Sequence, residues 1–384
     1  MTRKAAEPLQ IKRILIDVFR ASVDKPVVTS FSTIPSRGVA ILRLEDADGA
    51  VGWGDIWGNF PTVTTEYRAR LAGFLLPDLL RGEVISDIPA FHRDLTAKLR
   101  IMAVQADEPG PVAAVLAATD QAVWDLQARK AGQPLRRLLS DTAADRVPAY
   151  ASGLNPADGP ETVLAERARG HRNFKLKVGF GDAVDKANID RIMADLGAGE
   201  RCFVDANQRW DLAAARHAAA WLAEAGVGWL EEPMIADAPA ADWLALKADA
   251  RLPLAGGENL RGLDIFEAAY AWFDFIQPDV GKWGGVSRNF EIARSALNAG
   301  RTYCPHWLGG GIGMLHSAQI LAAAGGGGLL EMDVNENPLR GSILGGALAV
   351  DQGWAELPAA PGIGIEPDLS TMEGWRVDQS EIVL

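Results

Sequence analysis

From about residue 145 onward the chain repeats one pattern eight times: a short apolar run followed by an amphipathic stretch of helical period. The runs lie at 147–150, 174–178, 202–205, 228–231, 254–255, 275–277, 302–304 and 329–331. Between them, sets such as Ile189, Ile192, Leu196 or Ile265, Ala268, Ala269 mark single helix faces. A strand that must cross a helix before the next strand starts can pair with its successor only in parallel. Eight such units in a little over two hundred residues have the count and size of a closed (β/α)8 barrel. The expected fold is therefore α/β, with the barrel spanning 141–345.

The sequence ahead of the barrel has a different texture. Apolar strand patterns at 11–18 and 38–44 are joined by a long polar connection, 19–37, which reads as a loop and a possible lid. The stretch 52–61 sets Trp53, Trp57 and Phe60 among glycines, and reads as a second loop suited to covering a pocket. From about Thr65 to Leu139 the pattern is helical, with Val115, Thr119, Ala122 and Leu126 on one face and Gly132 and Pro134 as a stop. This predicts an N-terminal α+β capping domain over 1–140. The β-α alternation is lost from about Ser342, and the segment 346–384 is expected to return and complete the capping domain.

Composition narrows the partners. The 384 residues carry a formal net charge of -12, which argues against a nucleic-acid or anionic-membrane surface. An anionic substrate would have to be met by local cations. No apolar run approaches the ~18 residues that span a bilayer, and Met1-Thr2-Arg3-Lys4-Ala5 lacks an apolar signal core, so a cytoplasmic protein is expected. Cys202 and Cys304 sit inside apolar strand patterns and read as small buried hydrophobes, with no disulfide and no metal assigned to them.

In such a barrel the chemistry gathers at the C-terminal ends of the strands. Those ends read Lys175 and Lys177, Asp205-Ala206-Asn207, Glu231-Glu232-Pro233, Gly257-Glu258, Asp279, His306 and Glu331, so each β-α unit from the second to the eighth ends in an ionisable group. A lone Lys-x-Lys pair is an ordinary solvated strand edge. Here the pair would point one way, since strand side chains alternate, and mutual repulsion plus burial should lower the pKa of at least one lysine toward use as a base. Asp205, Glu231 and Glu258, from three adjacent strands, would repel one another unless a cation neutralised them, and an all-oxygen set suits Mg2+. The five histidines include no His-x-His pair at a strand end, which argues against a zinc barrel. The run 309–313, with four glycines, could cradle a phosphate, but with no lysine or arginine in it a tight turn is the better reading.

The Lys-x-Lys, Asp-x-Asn, Glu-Glu-Pro and Gly-Gly-Glu elements, the 278–285 run and the late His306 together resemble the mandelate racemase subgroup of the enolase superfamily. The similarity covers nearly the whole chain. It implies abstraction of the proton α to a carboxylate, with Mg2+ on Asp205, Glu231 and Glu258 stabilising the enediolate. It implies Lys177 as the base on one face, with Lys175 lowering its pKa and contacting the carboxylate. His306, oriented by Asp279, would serve the opposite face. Glu331 would hydrogen-bond the substrate carboxylate, and would need a raised pKa to do so. Asn207 matches a position that contacts a substrate hydroxyl in relatives, Trp307 would wall the pocket, and the cap residues Phe31, Trp57 and Phe60 would cover it. Relatives of this kind are commonly homo-oligomers.

The residue set leaves the reaction open. Dehydration of a sugar acid is favoured because His306 could protonate a leaving hydroxyl. Racemisation or epimerisation of a 2-hydroxy acid is the alternative, kept alive by the apolar cap residues. A cycloisomerase would rely on Lys282 in place of His306, and a metal-binding barrel without turnover is a reading of another class.

Overall fold

Three antiparallel strands, β1 (Ile11–Val28), β2 (Thr33–Asp46) and β3 (Val51–Ile56), open the chain in a computed structural model that describes residues 7–30 and 32–384. Phe31 lies outside the described residues. Here the sequence reading needs correcting, because most of 19–37 is strand. Arg20, Ser22 and Asp24 alternate with Ala21 and Val23, a half-buried strand pattern, and the ladder runs Arg20↔Gly38, Ala21↔Arg37, Ser22↔Ser36 before slipping register. The polar residues occupy one face of the ribbon, so polarity alone was a misleading loop signal. The end of this hairpin leans over the barrel: the Ser30 hydroxyl donates to the carbonyl of Ala206 at 3.2 Å, and the Asp24 amide to Glu336 at 3.0 Å.

The first half of the glycine and tryptophan stretch is strand as well. Gly52 and Gly54 lie on β3, where an added Cβ would stand 2.0 and 2.1 Å from the carbonyls of Ala122 and Ala118. These glycines let helix α3 (Pro109–Lys130) lie directly on the strand, and Trp53 is buried between them. Helices α1 (Thr64–Leu80) and α2 (Ile88–Gln105) precede α3, and α4 (Leu135–Leu139) follows it. Fifteen of the 22 residues of α3 are buried, because it is a strut packed on the cap sheet on one side and on the barrel on the other.

The barrel strands are β4 (Arg146–Leu154), β5 (Asn173–Lys177), β6 (Arg201–Asp205), β7 (Leu230–Glu231), β8 (Leu254–Gly256), β9 (Phe275–Ile276), β10 (Thr302–Tyr303) and β11 (Leu330–Asp333). Between them run α5 (Gly159–Ala168), α6 (Asp182–Asp195), α7 (Leu212–Glu224), α8 (Ala240–Asp249), α9 (Leu263–Ala269), α10 (Gly285–Asn298) and α11 (Gly311–Ala324). Parallel ladders join β4 to β10 in order, and β11 pairs with β4. Across the remaining gap the Leu329 amide donates to the Cys304 sulfur at 3.3 Å. Both cysteines are free and buried.

Helix α12 (Pro338–Leu344) follows, and then the tail divides its work. A hairpin of β12 (Val350–Asp351) and β13 (Trp354–Glu356) pairs with β4 of the barrel. Only β14 (Arg376–Val383) joins the first sheet, antiparallel to β1. Among the described residues no helix is long and apolar enough to cross a membrane.

Alternation sorts the barrel interior into layers. Tyr150, Phe203, Trp229, Cys304 and Leu329 form one buried cluster with Phe275 against it. Phe203 and Trp229 stack with centroids 3.6 Å apart, and Tyr150 meets both edge-on; each such pair adds ~0.5–1.5 kcal/mol beyond area burial. Two residues further along the same strands stand Ser152, Asp205, Glu231, His306, Glu331 and Gln277. A dry aromatic floor thus lies under a layer of polar groups.

Candidate active site

The lysine pair is buried, not solvated. Lys175 Nζ reaches Glu231 Oε1 at 2.6 Å and Glu331 Oε1 at 2.7 Å, with Asp205 Oδ2 at 3.9 Å and the Tyr150 ring centroid 5.3 Å away. Lys177 Nζ meets Asp205 Oδ2 at 2.6 Å. Register explains the pairings: Lys177 stands beside Asp205 in the β5–β6 ladder, and Asp205 beside Glu231 in the β6–β7 ladder.

Across the barrel, His306 Nδ1 lies 2.7 Å from Asp279 Oδ2, and its Nε2 is 2.9 Å from Glu258 and 3.8 Å from Glu331. The other oxygen of Asp279 accepts the amides of Gly281 and Lys282 at 2.8 and 2.9 Å. Glu331 sits between the two sides, receiving Ser152 Oγ on the oxygen that meets Lys175 and the Trp307 amide, at 3.0 Å, on the other.

Two expectations about protonation are overturned. Burial pushes Lys177 toward its neutral form, but contact with Asp205 outweighs burial and the neighbouring Lys175, so its pKa is raised. Burial likewise pushes Glu331 upward, yet Lys175 and His306 hold it below the usual range. Each ammonium has a carboxylate within 2.7 Å, and that attraction exceeds the repulsion between the two lysines. His306 is raised well above an ordinary histidine: burial opposes the charge, and Glu258, Glu331 and Asp279 overcome it. Glu231 is raised to about 7, first by burial and then by Asp205 and Glu331, with Lys175 opposing.

Six carboxylates (Asp205, Glu231, Glu232, Glu258, Asp279, Glu331) are packed against four cationic side chains (Lys175, Lys177, Lys282, His306), and all ten are buried or nearly so. Carboxylates outnumber cations six to four where unpaired charge is costly, and the imbalance falls on Glu232 and Glu231, which burial and neighbouring carboxylates push upward toward holding a proton. That excess and the all-oxygen donor set fit a hard divalent cation. Among the described residues no three of His, Cys, Asp or Glu stand gathered as a ready ligand set; Asp205, Glu231 and Glu258 are each held by a lysine.

The polypeptide bends sharply just past these carboxylates. Asn207, Gln208 and Glu232 have φ of 46°, 63° and 35°, three of the six non-glycine residues in the left-handed region among those described, a cost of ~1–3 kcal/mol each that clusters at functional sites. The bend turns Asn207 back so that its amide and Nδ2 donate to Asp205 at 2.8 and 3.0 Å, leaving its Oδ1 buried without a partner.

Trp307 is placed otherwise than expected. Its indole is fully buried in the core, donates to the Gly310 carbonyl, and is fitted so tightly that a Cβ on Gly309 or Gly313 would clash with it. It serves the site through its backbone amide. The glycines of 309–313 are therefore explained by packing, and the α11 amide of Gly313 faces the buried carboxylate of Asp55 at 3.3 Å. Trp57 is half-buried with its ring centroid 4.9 Å from Lys282 Nζ, and Phe60 is half-buried on the same loop.

Sequence reasoning missed several contributors. Gln277 Nε2 donates to Glu231 at 2.8 Å, Asn259 bridges Glu232 and Lys282, and Ser152 caps Glu331. Extending the inward alternation of β4 and β9 by one step would have found Ser152 and Gln277. Asn259 and Glu232 lie beyond strand ends, where no period applies.

Two family models match the chain: the mandelate racemase/muconate lactonizing enzyme N-terminal domain over residues 13–140, and the enolase C-terminal domain-like model over 161–371. A solved mandelate racemase/muconate lactonizing enzyme from Bordetella bronchiseptica RB50 is 44% identical, covers 96% of this chain and 99% of its own, and superposes with a TM-score of 0.89. A racemase from Streptomyces coelicolor A3(2), solved with bound magnesium, is 25% identical over 96% of this chain and all of its own, with a TM-score of 0.82. The D-galactarolactone cycloisomerase of Agrobacterium fabrum is 26% identical over 96% of this chain and 99% of its length. Other enzymes at similar identity include arabinonate and L-talarate/galactarate dehydratases, muconate cycloisomerase and a hydrophobic dipeptide epimerase.

Proposed function

The chain belongs to the mandelate racemase/muconate lactonizing enzyme family of the enolase superfamily, and from that premise we propose that it is a Mg2+-dependent lyase that dehydrates a sugar acid to a 2-keto-3-deoxy acid through an enediolate. The observation that carries this reading is the two-sided site: Lys177 on one wall, the His306–Asp279 pair on the other, and Glu331 between them. Asp205, Glu231 and Glu258 would hold Mg2+, whose Lewis acidity would lower the cost of charge developing on the substrate carboxylate. Lys175 places a second positive charge beside Glu231 and Glu331, where that carboxylate would lie. With Asp205 committed to Mg2+ and no longer holding the Lys177 ammonium, burial and Lys175 would favour the neutral amine, and in that form Lys177 takes the α-proton. His306 gives its Nε2 proton to the leaving β-hydroxyl, which departs as water, and the resulting enol becomes the keto acid. Glu331 enters as a carboxylate held by Lys175, Ser152 and the Trp307 amide, so its part is to align His306 and Lys175. Asn207, with a free carbonyl oxygen, is suited to a substrate hydroxyl.

Racemisation or epimerisation is the second reading, favoured by the same two bases, because protonation from His306 on the face opposite Lys177 inverts the carbon. A panel of galactarate, L-talarate, glucarate, arabinonate and mandelate with Mg2+ in deuterated water tests both. Keto product with deuterium incorporation supports dehydration, and exchange without keto product supports inversion. If the panel gives neither while the metal raises the melting temperature, the barrel binds metal without this chemistry. A cytoplasmic homo-oligomer acting on a small carboxylate remains part of the proposal, to be checked by fractionation and light scattering.

A further inference from the structure

We propose that Lys282 is a positioning residue that ties the cap to both carboxylates flanking His306, and that it takes no part in proton transfer. The inference rests on the proton-transfer reading of the site and assigns a role to a lysine that reading leaves unused.

An ammonium has three N–H donors and no acceptor. Lys282 Nζ spends one on Glu258 at 2.6 Å and one on Asn259 Oδ1 at 3.0 Å, and the Trp57 ring, with its centroid 4.9 Å away, faces the remainder. The orientation of Asn259 is not free, because its Nδ2 donates to Glu232 at 2.8 Å, which turns its oxygen toward Lys282. The backbone amide of the same lysine donates to Asp279. One residue thus braces Glu258 with its side chain and Asp279 with its main chain, and these are the two carboxylates that contact the two ring nitrogens of His306.

The cap end of this tie is fixed as well. Arg68 donates to the Trp57 carbonyl at 2.6 Å and its guanidinium lies 4.9 Å from the Trp57 ring centroid. Thr65 donates to the Gly58 carbonyl at 2.7 Å, and Asn59 to the carbonyl of Leu308. Gly281 has no side chain because a Cβ there would stand 3.0 Å from Trp57 and 2.8 Å from Trp307. The loop bearing Trp57 is a pinned wall, and Lys282 is where it touches the chemistry.

The test uses the full chain and the variants Lys282→Met, Lys282→Arg, Trp57→Leu and Lys282→Met/Trp57→Leu. Hydrogen exchange needs neither metal nor substrate: Lys282→Met should accelerate amide exchange in peptides covering 57–66, and no change overturns the tie. Removing a positive charge from beside Glu258 should tighten Mn2+ binding, read from the free-ion EPR signal, at least about fivefold. Turnover on the acid identified by the panel should meanwhile fall roughly 10–100-fold through kcat, the scale of a small misplacement of reacting groups, with most of it recovered in Lys282→Arg. Trp57→Leu should lower turnover in the wild type and add little in Lys282→Met, since both act through one contact. Complete loss of α-deuterium exchange in Lys282→Met with unchanged Mn2+ affinity would make Lys282 a base and overturn the proposal, as would fully additive losses. If the wild type binds no Mn2+ and turns over no acid of the panel, the proposed reaction fails, and the exchange comparison still decides the tie. Should Lys282→Met not fold, Trp57→Leu and Lys282→Arg carry the same comparison from the two ends.

Discussion

Asp279→Asn replaces one oxygen by an NH2 group and should invert the tautomer of His306. In the wild type one carboxylate oxygen accepts the amides of Gly281 and Lys282, and the other faces His306 Nδ1 at 2.7 Å. An asparagine must keep its carbonyl oxygen on the two amides, because turning its NH2 there sets donor against donor at ~1–3 kcal/mol per stranded group. Its NH2 then faces Nδ1, which can answer only as an acceptor, so the neutral ring carries its proton on Nε2. A protonated Nε2 cannot take a proton from carbon. Proton abstraction and exchange on the His306 face should therefore fall by the amount of a general base, ~10²–10⁴ in rate, or ~3–5.5 kcal/mol of barrier, whereas donation to a leaving hydroxyl, which needs the Nε2 proton, should fall less. Deuterium exchange on the Lys177 face should persist, because no contact of Lys177 changes. The tautomer can be read without substrate by long-range proton–nitrogen correlation on imidazole-labelled protein, which has five histidines, using His306→Asn to assign the signal. An Asp279→Asn protein whose His306 keeps its proton on Nδ1, or whose deuterium exchange on the His306 face is unchanged, would refute the orientation.

Three further outcomes follow from buried groups. Asp333 is held low by Arg340 and Arg37, which it joins across the barrel and cap at 2.7 and 2.8 Å; Asp333→Asn strands two buried guanidinium groups and should cost ~3–5 kcal/mol in urea unfolding, whereas the Arg37→Met/Asp333→Leu pair should cost less than the single change. Gly54→Ala would put a Cβ 2.1 Å from the Ala118 carbonyl, and should lose more than the ~1–3 kcal/mol of ordinary overpacking, with amides of α3 exchanging faster. Burial depresses His92, His171 and His316 to about 4, so the unfolded chain binds more protons below pH ~6.5 and these residues cost stability as pH falls. Burial raises Asp55 and Asp120 to about 7 and Asp125 to about 6; there the folded chain binds more protons, and stability is gained over the same window. The two sets oppose each other, so Asp120→Asn should become acid-sensitive relative to the wild type, with the difference moving by ~2–3 kcal/mol between pH 7 and 5. Parallel urea titrations at pH 7, 6 and 5 check the sign.

How far the molecule could be read from its sequence depended on whether a period was available. The eight barrel strands were legible because β-α alternation forces one topology, and the ionisable strand ends because the barrel places them at one mouth. The hairpin 19–37 failed because a two-residue alternation of polar and apolar side chains inside a polar segment looks like a loop unless both faces are considered. The glycines at 52 and 54 look like flexibility, yet they mark the close approach of helix residues 70 and 64 positions further along the chain, which no local pattern records. The directions of the lysine and Glu331 shifts are hidden for a related reason: they depend on which opposite charge lies within 3 Å, a matter of register between strands.

The contacts between cap and barrel fall in an ordered way. Ser30 donates to the carbonyl of Ala206, next to Asp205; Trp57 lies over Lys282, which holds Glu258; Asn59 donates to Leu308, two residues past His306; and Arg37 pairs with Asp333, two residues past Glu331. Four different strand ends are thus each touched by the cap within two residues, or one side chain, of a group assigned to the chemistry. Packed interiors respond to displacement in discrete steps, not smoothly, so a shift of the cap must move some of these groups together. On the proposed reading, cap residues that never meet the reacting atoms should therefore alter kcat as well as KM, because the contacts that would set specificity are the ones that hold Lys177 and His306 in place.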